Sequence, residues 1–456
     1  MKRLANFAPL LVAVFTVTSL YAANAARLEW SQMLMPLILA LTLAGLFMLI
    51  FWLCPFTSRY WQFAATTFTM CALLWYMAGA VLCSILMAAT IAAIFLKKRT
   101  IYLKHGAFLI AASTLFATVI TLCMSGYSTL QNVTNVQAQP YTLNTAADNS
   151  PNIYFIVPDR MPSPVAMRQA GIYPDSFVAA MRELGFYVPE NNMSRDTYTP
   201  TYEGKVYTTR TMRFFASALN LGVDIPMDIS YKDCLSMIKY PSVFEALHEK
   251  GYIVANVASW FAETKNMPTA DFNETYPDAS LLEKFYENEL AAQYWERTIL
   301  KGLNFRYYEQ GITKGRIDRA RHLWQRNHIV GWATNPDSGN FIMSHILLPH
   351  EPFVWSGDGE PLDTGLPQPE QYYEQIRFAM MYLENMAKLI LKYDPNAIII
   401  IQSDEGMAYH KPAELNYSLT PEQWNGVFTA WRIPGADTNE LENLRHTEIV
   451  DWLLSQ

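Results

Sequence analysis

Trp61–Leu96 is a run of 36 residues without one charged side chain, roughly twice what a single bilayer crossing needs. Basic residues flank it and the neighbouring apolar runs: Lys2, Arg3, Arg59, Lys97, Lys98, Arg99 and Lys104. Such residues stay on the cytoplasmic side of a membrane. Arg59 and Lys97 both stay inside only if the run crosses twice, as a tight hairpin turning near Ala78-Gly79-Ala80. With Leu4–Ala23, Met33–Cys54 and Ala107–Met124 this predicts five transmembrane helices and places residues 126–456 outside the cytoplasm. Leu4–Ala23 reads as a first span or as a signal peptide cut near Ala23-Asn24-Ala25. Either leaves residue 27 outside.

Charge divides the chain at the same place. Residues 1–125 hold eight of the 34 Lys and Arg and only one of the 41 acids, Glu29. Residues 126–456 are acidic, which argues against nucleic acid as a partner. The domains expected are therefore a transmembrane domain at 1–125, a linker at 126–150 and an extracytoplasmic α/β domain at 151–456. The linker is polar and uncharged until Asp148. Four of the five cysteines lie in the apolar part, and Cys234 alone cannot make a disulfide within the soluble part.

From Pro151 onward strand and helix signals alternate, the pattern of a mainly parallel sheet covered by helices. Strands are expected at Asn152–Val157, Tyr252–Val257, Phe341–Leu348, Ile398–Ile401 and Val427–Ile433. Helices are expected at Pro174–Leu184, within Tyr207–Leu221, and at Ser242–Lys250, Glu370–Lys392 and His446–Leu454. Residues near 262–335 read as a helical insertion.

Several strands end in polar side chains: Asp159 after the first, His345 and His350 around Phe341–Leu348, and Asp404-Glu405 after Ile398–Ile401. Chemistry collects at the carboxyl edge of a parallel sheet. Each residue also has a plain structural reading: Asp159 as a turn residue, His345 as a hydrogen-bonded core histidine, Asp404-Glu405 as a solvated loop. Their agreement on one edge is the argument for a site. His410 and His446 read as structural.

The blocks NIYFIVPDR (152–160), TMRFFASALN (211–220), SHILLPHEPFV (344–354) and IIIIQSDEG (398–406) resemble, in order and spacing, sulfatase-like membrane proteins of the alkaline phosphatase superfamily, relatives of lipoteichoic acid synthases and phosphoethanolamine transferases. The resemblance covers about residues 150–435. It implies a sulfatase/alkaline-phosphatase-like domain holding one divalent metal ion through Asp159, Thr211, Asp404 and Glu405. Thr211 would be the nucleophile, with Thr208 and Thr209 close by, His350 a substrate contact and proton donor, and His345 a second substrate contact. An all-oxygen set favours Mn²⁺, Mg²⁺ or Ca²⁺, with Zn²⁺ also admitted. Glu405 stands where most members of that family have histidine, the segment before Thr211 matches poorly, and members often continue past the position of Gln456.

The function expected from this resemblance is that of a membrane-anchored, metal-dependent phosphotransferase or phosphodiesterase. Its donor would be a membrane lipid or lipid-linked phosphate, and its acceptor a cell-envelope glycan or lipid. It would be a multi-pass protein of the inner or plasma membrane, with the C-terminal domain periplasmic or extracellular. Sulfate ester hydrolysis fits less well, because Cys234 sits in DCLSM and not in the Cys/Ser-x-Pro-x-Arg motif that sulfatases need. A catalytically inactive relative that binds or scaffolds envelope polymers is the alternative, motivated by Glu405.

Overall fold

The computed structural model describes residues 2–24, 30–55, 60–95, 100–133, 150–194, 201–202, 205–206, 208–277, 289–299, 314–334, 339–362, 365–408 and 419–456. Arg59, Lys97–Arg99, most of the expected linker and His410 lie outside the described residues. The chain forms two compact units. One is Met1–Gln137 with Asp278–Tyr308, and the other is Ala138–Pro277 with Glu309–Gln456.

The first unit is helical: α1 (Ala8–Ala23), α2 (Leu34–Leu53), α3 (Trp61–Leu73), α4 (Ala80–Phe95) and α5 (Thr100–Val133). Ala13, Ala40, Ala44, Ala64 and Ala65 are fully buried, while Leu46, Leu49, Ile50 and Leu53 are exposed. Small residues inside and large apolar residues outside are the pattern of helices that pack closely in lipid. The hydroxyls of Thr66, Thr67, Thr90 and Thr118 donate to carbonyls one turn back in their own helices, which satisfies them within the helix. Trp30–Leu53 is the one described helix long and apolar enough to cross a bilayer by length and composition; Ala8–Ala23, Val81–Ile94 and His105–Thr121 are shorter apolar helices. Between α3 and α4 the chain breaks at Gly79, whose φ of 88° suits glycine. That is the position read from sequence as a hairpin turn.

The helix Glu289–Arg297, expected within an insertion of the α/β domain, belongs to this first unit. Its Leu290 and Tyr294 are buried with Ala13, Val17, Leu20 and Tyr21 of α1. The hydroxyls of Tyr294 and Thr16 lie 2.7 Å apart.

The second unit is built on a six-stranded sheet. In chain order its elements are β1 (Ile153–Pro158), α6 (Asp175–Glu183), α7 (Arg210–Ala218), α8 (Ser242–Glu249), β2 (Ile253–Val257), β3 (Phe272–Glu274), α9 (Lys314–Ala333), β4 (Asn340–Ile346), α10 (Gln368–Tyr393), β5 (Ile398–Gln402), β6 (Thr429–Arg432) and α11 (Ile449–Ser455). The strand order is β6-β5-β1-β4-β2-β3. All pairs are parallel except β6 with β5, so the sheet is mainly parallel, as expected. β3 was not expected: it lies in the stretch read as helical insertion, too short and too polar to carry an alternation signal.

β1 and β5 are buried on both faces, and successive side chains serve opposite cores. Tyr154, Ile156, Ile399 and Ile401 pack with residues of α6, α9 and α10. Ile153, Phe155, Val157, Ile398 and Ile400 pack with α7, α8 and α11. β1 lies between β4 and β5, with Val157 opposite His345 and Ile156 opposite Ile401. This register brings the ends of three central strands, and the polar residues they carry, to one edge.

Candidate metal centre

Asp159 follows β1, His345 lies in β4, and Asp404 lies two residues past β5. One ligand atom from each of the three can be chosen so that all lie within 4.8 Å of one another. All three are 1% exposed, and Asp159 Oδ1, Asp404 Oδ2 and His345 Nε2 have no hydrogen-bond partner. Buried polar atoms are almost always paired. Two carboxylate oxygens and an imidazole nitrogen that converge without partners, at a spacing that bonds of about 2.0–2.6 Å to one centre can span, fit a divalent cation.

The cluster is held from outside. Asp404 Oδ1 accepts the amides of Arg160 (3.1 Å) and Glu405 (2.8 Å), which directs Oδ2 inward. Ser403 staples the turn, its hydroxyl accepting from the Met161 amide and donating to the Glu405 carbonyl. His345 Nδ1 lies 3.2 Å from the Thr264 hydroxyl, and its ring sits edge-on to Phe215 and Phe261. Its Nε2 faces Asp159 Oδ2 at 3.4 Å, and a proton on Nδ1 would leave the Nε2 lone pair for an ion.

Electrostatics separates the two acids. Burial and the neighbouring Asp159 and Glu405 push the Asp404 carboxyl well above its usual range, against the Thr211 hydroxyl and the Arg160 amide. Burial also raises Asp159, but His350, His345 and Arg160 outweigh it and hold that carboxyl at about 2. Without a cation, the pair therefore keeps a proton on the Asp404 side.

Thr211, in the first turn of α7, is buried with its hydroxyl against the Asp404 carboxyl. Thr209 is the N-cap of α7, its hydroxyl accepting from the Met212 amide. The Thr208 hydroxyl is buried without a partner. His350 approaches closely enough to lower the Asp159 carboxyl. Its loop is pinned by Gln375 of α10, whose side-chain amide donates to the His350 carbonyl and whose oxygen accepts the Val354 amide. Of the residues predicted from sequence, Asp159, His345 and Asp404 form the cluster, while Thr211 and His350 border it. Glu405 is adjacent, but its carboxylate is engaged by Arg160 Nε at 2.7 Å and Arg210 Nε at 3.5 Å.

Arg160 and Arg210 were not singled out from the sequence. Arg160 has a left-handed backbone, φ 63°, which costs a non-glycine residue about 1–2 kcal/mol. Three contacts hold it there: its amide to Asp404, its guanidinium to Glu405, and its carbonyl accepting from the Tyr372 hydroxyl at 2.6 Å. The only sequence signals were an arginine directly after a strand-end aspartate and one at the start of an apolar helix. Gly406 completes the loop: a Cβ there would lie 2.5 Å from the Trp424 carbonyl. Gly406→Ala is expected to destabilise the protein by about 1–3 kcal/mol and to weaken ion binding by shifting Asp404; a thermal melt and an ion titration check both.

No family model matches the chain, and no curated protein sequence matches it. Solved structures of low similarity do. Lipooligosaccharide phosphoethanolamine transferase A (EptA) from Neisseria meningitidis is 12% identical, over 94% of this chain and 84% of that one, with a TM-score of 0.37. The C-terminal periplasmic domain of EptC from Escherichia coli is 14% identical, over 68% and 84%, with a TM-score of 0.37. A putative sulfatase from Bacteroides thetaiotaomicron is 11% identical, over 67% and 70%, with a TM-score of 0.38. Similarity at this level assigns neither an activity nor a substrate to this chain.

Proposed function

We propose that the protein is a membrane-anchored phosphotransferase or phosphodiesterase that works through Thr211 and one divalent ion. The observation that carries this reading is the cluster Asp159–His345–Asp404, buried with its ligand atoms within 4.8 Å of one another beside a threonine hydroxyl at the carboxyl edge of a parallel sheet. Asp159, Asp404 and His345 would hold the ion. With an imidazole among the ligands the set is no longer all oxygen, so Mn²⁺ and Zn²⁺ fit it better than Mg²⁺ or Ca²⁺.

A bound divalent ion supplies positive charge that favours the ionised hydroxyl and the developing charge on a phosphoryl group. Asp404, beside the Thr211 hydroxyl, accepts a hydrogen bond that orients it. The Thr211 hydroxyl passes its proton to the ionised Asp404 carboxylate as its oxygen bonds to phosphorus and the bond from phosphorus to the leaving oxygen breaks. His350 gives a proton to that leaving oxygen, which leaves phosphothreonine and a neutral imidazole. An acceptor hydroxyl or water then attacks phosphorus and gives its proton to His350, while the Thr211 oxygen leaves and takes its proton back from Asp404. The alternative of an inactive binding protein was motivated by Glu405. With its carboxylate on two arginines and outside the cluster, that residue no longer argues against an ion.

Donor and acceptor follow from location. In the five-crossing arrangement, Trp30–Met33 and Trp75–Ala78 lie at the extracytoplasmic end of the helices, and both pack against Glu289–Arg297. With residues 126–456 outside the cytoplasm, as the flanking basic residues imply, the substrates at hand are lipid-linked phosphates and envelope glycans. Two measurements test the proposal. β-Lactamase fused after residue 125 is expected to protect cells from ampicillin, and fused after residue 98 not to. The purified full chain is expected to bind one Mn²⁺ or Zn²⁺ and to cleave bis(4-nitrophenyl) phosphate. A chain that binds no ion and cleaves no diester would overturn the enzymatic reading.

A further inference from the structure

Arg210 is the first residue of α7 and its side chain is 2% exposed. One terminal nitrogen donates to the Trp424 carbonyl at 3.0 Å, and the guanidinium lies over the Trp424 ring at 4.8 Å. Among the described residues its Nη1 makes no hydrogen bond, and its Nε has only Glu405 Oε2, at the long distance of 3.5 Å. A buried guanidinium whose donors are so incompletely used is a costly arrangement. Its position adds to the cost, since a cation in the first turn opposes the helix dipole and that turn contains no acid.

Arg160 supplies a second guanidinium. Its Nε donates to Glu405 Oε1, and Nη1 stands 4.0 Å from Glu351. Glu405 thus joins two arginines with one carboxylate, Oε1 toward Arg160 and Oε2 toward Arg210. A carboxylate with both oxygens engaged in this way is poorly placed to ligate a metal as well. Both guanidinium groups sit beside the ion cluster, because Arg160 follows Asp159, Glu405 follows Asp404, and Arg210 precedes Thr211.

We propose that Glu405 is a positioning residue and not a metal ligand, and that it aligns Arg160 and Arg210 as a two-armed clamp for a tetrahedral oxyanion beside the Asp159–His345–Asp404 cluster. Guanidinium groups bind such oxyanions through paired, directed N–H bonds. The clamp takes up the unused Nη1 donor of Arg210 and offsets the misplaced charge at the α7 N-terminus. The Thr208 hydroxyl, buried without a partner one residue before the cap, is a further donor for the same anion. In the function proposed above, on which this inference rests, the oxyanion is the phosphoryl group attacked by Thr211.

The test uses the full chain in detergent, with inorganic phosphate and sulfate as probes and with bound Mn²⁺ or Zn²⁺ measured by elemental analysis. Glu405→Gln is expected to retain one ion per chain and to bind phosphate at least about tenfold more weakly, with Glu405→Asp recovering part of the loss. Arg210→Gln is expected to act likewise. Arg160→Lys keeps the charge at a site that is 21% exposed, so it guards against misfolding of the Arg210 variant; it too is expected to weaken phosphate binding. Loss of the ion in Glu405→Gln would make Glu405 a ligand and overturn the assignment. Unchanged phosphate affinity in Glu405→Gln and Arg160→Lys would overturn the clamp, as would a preference for sulfate or phosphate that neither variant alters. If the wild-type chain binds ion and phosphate but cleaves no diester, the proposed function fails while the clamp stands.

Discussion

Asp404→Asn is expected to cost at least about 10²-fold in ion affinity and at least about 10³-fold in turnover, with the fold retained. The asparagine oxygen can still accept the amides of Arg160 and Glu405. Its NH₂ group then faces Asp159 where a ligand oxygen stood. Ion titration and diester cleavage report the loss, and a variant that binds the ion as tightly as the wild type would remove Asp404 from the cluster. The same substitution has a pH signature in the chelated protein. Burial, then Asp159 and Glu405, raise the folded-state Asp404 carboxyl, whereas in the unfolded chain it titrates near 3.9. Between those values the folded protein holds a proton that the unfolded chain has released. Stability therefore falls as pH rises above about 4, by at most roughly 1.4 kcal/mol per pH unit. Asp159 acts in the opposite sense at lower pH: its stabilisation is present above its unfolded value and is lost as pH falls toward about 2. Asp404→Asn is expected to flatten the decline above pH 4, and adding the ion to the wild type should reverse it with release of a proton. Thermal midpoints of the chelated proteins between pH 4.5 and 8 decide this.

Thr211→Ala is expected to lower turnover by at least about 10³-fold while one ion still binds, because Asp159, His345 and Asp404 still supply three converging ligand atoms. No phosphothreonine should then be detectable by mass spectrometry after incubation with a diester. The control is Thr209, two residues earlier. Its hydroxyl caps α7, so Thr209→Ala should cost about 1 kcal/mol of stability and leave the chemistry nearly intact. If instead Thr209→Ala abolishes turnover and Thr211→Ala does not, the nucleophile has been assigned to the wrong threonine.

Much of this architecture was legible from residue order. β1 and β5 announced themselves as unbroken apolar runs, because a strand covered on both faces has no polar positions to spare. The strand-end residues Asp159 and Asp404 were legible for the same reason: each is the first acid after such a run. His345 was readable only as a histidine in an apolar strand. Alternation along β4 sets its face of the sheet, but only the pairing of Val157 with His345 brings it beside Asp159. β3 escaped notice because three residues carry no period.

The sequence by itself determined that an apolar helical part precedes an acidic α/β part, the strands that carry acids, and their common edge, but not that Glu289–Arg297 joins the helical unit. These follow from local hydrophobicity and from the rule that parallel strands end on the same side. Only the tertiary structure decided which polar side chains share one environment. Glu405 is next to Asp404 in the chain, yet its carboxylate is drawn to Arg160 and Arg210, charges contributed by segments more than 190 residues away. His345, from a third segment, is the residue that stands with the two acids instead. Charge pairing between distant segments leaves no trace in local sequence, because it depends on where the backbone brings the groups and not on their spacing along it.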